Sequence, residues 1–128
     1  MPERADNQLR DLHSMTQDCS YNELFALQVT DDSMAPEFPQ GCVIVIEPSG
    51  VCANGAYVVA TVNGDRWFRQ YLKDAQGGER LAAGNGSYPD IHLAGTRFQI
   101  EGVIIQRTLR REVKHYRSYE PNNGLPGQ

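Results

Sequence analysis

Two Asn-Gly dipeptides, Asn54-Gly55 and Asn63-Gly64, bracket the run AYVVATV at residues 56–62. Asn-Gly supplies the positive-φ positions of a tight hairpin turn, and a β-branched run between two such turns has little choice but to be extended. The same grammar recurs along the chain. Apolar or β-branched runs at 24–29, 42–46, 66–72, 79–83, 91–93 and 98–105 are separated by Pro48-Ser49-Gly50, Gly77-Gly78, Asn85-Gly86 and Pro89. Residues 113–119 extend the pattern, and Gly102 inside the 98–105 run reads as a bulge. About seven short strands at such spacing predict a mostly-β domain, either a small twisted sandwich or a partly open barrel.

The chain has 128 residues, enough for one core and too few for two. Residues 1–22 are polar and read as an arm, in which Leu9, Leu12 and Met15 could form one weak amphipathic stretch. Residues 23–119 form the domain, and 120–128 read as a flexible tail. The formal net charge of −4 gives no global basic field for nucleic acid. The apolar runs are far too short to span a membrane, and the first 17 residues lack the apolar segment of a signal peptide. Three cysteines, Cys19, Cys42 and Cys52, cannot all pair. Free thiols in a reducing cytoplasm are the expectation. The Cys and His residues lack ligand spacing, so neither a metal nor another cofactor is expected.

The turn after the first long run reads Asp32-Ser33-Met34-Ala35-Pro36, followed by Pro39-Gln40-Gly41. An apolar strand follows, then a glycine at 55 opening a second strand, then Trp67-Phe68-Arg69 on its hairpin partner. Leu81, Asn85, Tyr88-Pro89, Phe98-Gln99-Ile100 and Glu101-Gly102-Val103 continue the series. In this order the residues resemble the catalytic domain of the LexA/UmuD-like serine peptidase family, which includes phage repressors and is distantly similar to signal peptidases. The resemblance covers about residues 24–107. It implies a Ser-Lys dyad with Ser33 as nucleophile, and an oxyanion hole from the backbone N–H groups of Asp32 and Ser33. It also implies a homodimer that pairs through residues 98–107 and the segment after them, with a protein or peptide segment as its other partner.

The dyad chemistry is where this chain departs. A serine hydroxyl needs an adjacent base, and a lysine serves only when desolvation keeps it neutral. Aligning hairpin to hairpin places Arg69, 36 residues after Ser33, at the lysine position. A guanidinium stays protonated, with a pKa above about 12, and cannot accept the serine proton. Lys73 is the remaining candidate base. It lies four residues on, on the same strand face but about 13 Å away, and reaches Ser33 only if the hairpin slips or bulges. The family's self-cleavage dipeptide, Ala-Gly or Cys-Gly, is absent from the first 23 residues, and a preceding helix-turn-helix is not seen.

Simpler readings stand beside these. Ser33 is also a good turn residue, and Arg69 is also a good surface strand residue. Met34 either lines a substrate groove or fills the core. Cys42 reads as a small buried side chain, His92 and His115 as solvated, and one of Trp67 and Phe68 as core. The cluster Arg107, Arg110, Arg111, Lys114 and Arg117 reads as a solvated basic face or an electrostatic footprint for nucleic acid or an acidic partner, though it lacks the base-stacking motifs or recognition helix of a nucleic-acid binder. Three functions remain open: an impaired peptidase-fold regulatory module, an active peptidase using Lys73 on itself or on a partner, and the C-terminal part of a DNA-binding repressor.

Overall fold

The computed structural model describes residues 9–11 and 24–116. The expected arm and tail lie outside these residues except for Leu9–Asp11, as do Cys19 and Arg117. The described residues form strands and turns without a helix. In chain order the strands are β1 (Leu9–Asp11), β2 (Phe25–Val29), β3 (Val43–Pro48), β4 (Tyr57–Val62), β5 (Asp65–Lys73), β6 (Glu79–Ala82), β7 (Ile91–His92), β8 (Phe98–Leu109) and β9 (Glu112–His115).

They make one sheet, ordered β1-β2-β3-β8-β4-β5-β6-β7, with β9 added against β8. The sheet is curled into an open half-barrel, so the barrel alternative holds over the sandwich. Every pairing is antiparallel, as short hairpin connections require.

The curl originates in β8. This strand pairs with β4 through Phe98–Val103 and with β3 through Gly102–Thr108. Both ladders carry a register shift, one at Val45/Ile46 and one at Val59/Ala60. Each shift leaves one extra residue on β8, Ile105 in the first ladder and Glu101 in the second. Such bulges bend a strand and increase its twist. Gly102, expected as a bulge, sits beside Glu101 at the point where β3 and β4 both meet β8. A Cβ there would lie 2.3 Å from Ile46 Cγ2 and 3.0 Å from the Glu47 carbonyl oxygen.

Both faces of the sheet are packed. On β4, Val59 enters one core with Leu27, Met34, Phe38, Ile44, Ile46, Phe68 and Ile104. Val58, Ala60 and Val62 point the other way, into a second core with Tyr71, Leu81, Leu93, Ile100 and Val103. This is the period-two alternation of a pleated strand buried on both sides. The Asn63-Gly64 turn adopts the predicted positive-φ pair, at 51° and 92°.

Gly102→Ala should destabilise the fold by about 2 kcal/mol or more, because the methyl meets a β-branched side chain and a carbonyl that the sheet holds in place. Urea denaturation of wild type and variant measures this.

Candidate active site

Residues 30–42 form the loop between β2 and β3. Its ends are clamped: Gly41 N–H donates to Val29 O at 2.8 Å, and Val29 N–H donates to Cys42 O at 2.9 Å. Gly41 has φ of +96°, a conformation that favours glycine. Inside the loop, Ala35 N–H donates to Asp32 O and Phe38 N–H to Met34 O. Met34 and Phe38 are fully buried and tie the loop to the first core. The Phe38 ring lies edge-on to Phe68 and Tyr57, and stacks with Tyr116 at 5.3 Å. Met34 is therefore a core residue and does not line a groove: its Sδ accepts the Gly84 N–H at 3.3 Å.

The turn of residues 84–88 closes over the loop from the other side. Asn85 donates its N–H to Ser33 O at 3.0 Å and its side-chain amide to Asp32 O at 3.1 Å. Tyr88 donates its hydroxyl to Asp32 Oδ1 at 2.7 Å. Between these walls Ser33 is fully buried.

Arg69 on β5 reaches the same place. Its Nη1 donates to Ser33 Oγ at 3.1 Å and to the Phe68 carbonyl at 3.0 Å. Its guanidinium lies 5.0 Å from the Trp67 ring centroid and 5.9 Å from that of Tyr88. Arg69 is only 4 % exposed, so the surface reading of this residue does not hold. Phe68 is the core member of the Trp67-Phe68 pair, and Trp67, half-buried, covers the arginine.

Lys73 lies elsewhere. The β4–β5 ladder runs from Val62↔Asp65 to Tyr57↔Gln70 without a slip, and the β5–β6 ladder continues unshifted to Lys73↔Glu79. Lys73 is exposed at the strand end, where its N–H donates to Asn54 Oδ1. Nothing in the hairpin brings it back across the four residues that separate it from Arg69.

Ser33 has one further neighbour that sequence reasoning did not single out. Its N–H and its hydroxyl both donate to Asp31 Oδ1, at 3.0 and 2.8 Å. The only hint in the sequence is an acid two residues before a serine in a turn, the pattern of a side chain capping its own backbone. Among the described residues, Ser33 Oγ thus donates to a carboxylate and accepts from a guanidinium.

The basic segment is also rearranged by the fold. Glu37, in the same loop, collects Lys114 Nζ at 2.7 Å and the Tyr116 hydroxyl at 2.5 Å, with Arg107 Nη1 at 3.7 Å. Arg107 Nη1 also donates to the Glu37 carbonyl. Arg107 and Lys114 are therefore drawn onto the loop of residues 30–42, which corrects the picture of one solvated basic face. Arg110 and Arg111 sit exposed at the β8–β9 turn. Burial raises the affinity of Glu37 for a proton, but the hydrogen bonds from Lys114 and Tyr116 and the charges of Lys114 and Arg107 outweigh it, and the carboxyl is held below its usual range. Burial also pushes the thiols of Cys42 and Cys52 up to about 11, so neither is a ready nucleophile.

A model of the Peptidase S24-like family matches residues 1–105. The repressor protein C2 of Salmonella phage P22 is 36% identical over 103 residues, which covers 76% of this chain and 46% of that protein. The chain spans less than half the length of this relative.

Because the folded-state pKa of Glu37 is depressed, its contribution is present above the ordinary carboxylate pKa and is lost as pH falls through the lower folded value. Glu37→Gln should cost about 1 kcal/mol at neutral pH, a modest amount for a partly exposed pair. Denaturation curves at pH 7 and at stepwise lower pH should show the gap between wild type and variant closing below about pH 4.5.

Proposed function

The chain belongs to the Peptidase S24-like family, and from that premise we propose that it is a LexA/UmuD-like peptidase-fold module whose serine has lost its base and which acts by association. The reading is of a cytoplasmic, dimeric, repressor-type module, of the kind used in DNA-damage or phage regulation. One observation carries it: the group donating to Ser33 Oγ from β5 is the Arg69 guanidinium at 3.1 Å.

In a Ser-Lys dyad the neutral amine takes the Oγ proton while Oγ bonds to the scissile carbonyl carbon. The C–N bond then breaks, and the proton passes to the leaving amine. Arg69 has no lone pair to accept that proton. It can hold Ser33 and neutralise an anion, which are binding roles. The Asp31 carboxylate accepts the same proton as a hydrogen bond, which turns the hydroxyl toward Asp31. The alternative of an active peptidase using Lys73 has no support from the unslipped hairpin. The alternative of a repressor's C-terminal part is favoured by the phage repressor relative, and is compatible with an inert serine.

Association fits the sheet's outline. Residues 98–107 of β8, expected at a dimer interface, are paired inside the sheet, with β4 through 98–103 and with β3 from 102 onward. β9 is the better candidate. It pairs only with β8 among the described strands, all four of its residues are exposed, and Val113 is 51% exposed. An exposed strand edge with an apolar side chain is a template for a second chain.

Two measurements test this function. Arg69→Lys places an ammonium in an enclosed site beside Trp67 and Tyr88, where desolvation favours its neutral form. It should raise hydrolysis of an Ala-Gly peptide at least about tenfold over wild type, well inside the range of general base catalysis. Equal rates would mean that Arg69 does not stand at the base position. Separately, sedimentation at micromolar concentration should give a dimer that Val113→Asp dissociates. A wild-type monomer would remove the association reading.

A further inference from the structure

Loss of the lysine explains the missing base, but a peptidase also needs donors for the negative charge that develops on the scissile carbonyl oxygen. The donors by resemblance are the backbone N–H groups of Asp32 and Ser33. A working oxyanion hole keeps such groups aimed at an empty position, about 2.7–3.1 Å away, that the oxyanion fills only during reaction.

Here that requirement is broken by a residue of the chain itself. Asp31 Oδ1 accepts the Ser33 N–H at 3.0 Å and the Ser33 hydroxyl at 2.8 Å. A single carboxylate oxygen within reach of both the amide and the Ser33 hydroxyl oxygen lies in the direction that a developing oxyanion would take. It also brings negative charge to a position that must accept negative charge. We propose that Asp31 is an internal occupant of the oxyanion position, a second block on Ser33 chemistry that is independent of Arg69. This rests on the reading of Ser33 as the family nucleophile.

The surroundings hold Asp31 to that task. The turn it belongs to cannot drift, because Asp32 is held by Asn85 and Tyr88 and Met34 is buried beneath it. Ser33 is itself fully buried. The hydroxyl spends its proton on Asp31 and accepts from Arg69, so both polar directions of Oγ are engaged inside the protein.

The consequence is a specific pattern of recovery. Arg69→Lys alone supplies a base but leaves the oxyanion position occupied. Adding Asp31→Ala frees the Ser33 N–H, and one regained oxyanion donor corresponds to about 10²–10³ in rate. Asp31→Asn removes the charge but keeps an acceptor oxygen in place, so it should recover much less than Ala. Because the effect belongs to the transition state, the gain should appear in kcat with KM nearly unchanged.

The experiment compares the full chain as Arg69→Lys, Arg69→Lys with Asp31→Ala, and Arg69→Lys with Asp31→Asn, on an Ala-Gly peptide. A kcat rise of about a hundredfold or more for the Ala variant over Arg69→Lys, with Asn well below it, supports the proposal. If Arg69→Lys gains over wild type and Asp31→Ala adds less than threefold, the internal block is wrong while the base argument stands. If wild type already equals Arg69→Lys, the base argument fails instead. The Ser33 amide proton gives an answer that needs no turnover. In otherwise wild-type protein it should resonate downfield and move upfield in Asp31→Ala, and a resonance that does not move overturns the proposal.

Discussion

β8 is the constraint on which the molecule depends. A flat strand could not serve β3 on one side and β4 on the other while the sheet curls between them. The extra residues at Glu101 and Ile105 let β8 turn as it passes from one neighbour to the other. Gly102 is the residue where the two partners come together, and no side chain fits there. The loop of residues 30–42 packs onto one face of this curled sheet, into the first core, through Met34 and Phe38. Position of the serine thus follows from sheet geometry, with two buried anchors converting the curvature into a fixed location for Ser33.

A second set of contacts links the loop to the end of β8. Glu37 gathers groups from β8, β9 and Tyr116, while Phe38 beside it stacks on the Tyr116 ring. One loop therefore carries, within a few residues, the serine, its carboxylate partner and the attachment to β9. β9 and the loop are consequently joined by a short path of hydrogen bonds and stacked rings. Burial and the Glu37 hydrogen bond both raise the Tyr116 pKa, as expected for a hydroxyl committed to a carboxylate.

How much of this could be read beforehand divides along physical lines. The hairpin β4–β5 was legible because Asn63-Gly64 fixes both turn and register, and register alone sends Arg69 to the serine and Lys73 away from it. Cys42 was legible as a buried side chain because a small apolar residue opening a β-branched run belongs in a core. β1 was not, because three residues reading Leu-Arg-Asp become a strand only by pairing with β2. β8 extends beyond its expected end to Leu109 for the same reason: β3 and β9 flank it there. The bonds of Asp31, Glu37 and Tyr88 were beyond reach. Two of them join residues from 56 to 79 positions apart, and for the third the sequence offers only an acid two residues before a serine, which does not fix the rotamer.

At the position where the family resemblance calls for a lysine, an arginine changes more than a proton acceptor. A peptidase lysine benefits from desolvation, since burial is what makes the amine neutral and basic. An arginine in the same enclosure cannot release its proton, so the same burial becomes a penalty that the site must offset permanently. The contacts around Arg69 are of the kind that do so: a carbonyl from its own strand, the Ser33 oxygen, and two aromatic rings over the guanidinium. The carboxylates of Asp31 and Asp32 are held in the same turn, one bonded to Ser33 and the other to Tyr88, whose ring faces the arginine. Such a site is organised around a fixed positive charge. Groups fixed on a standing cation are not poised for a charge that appears only in a transition state.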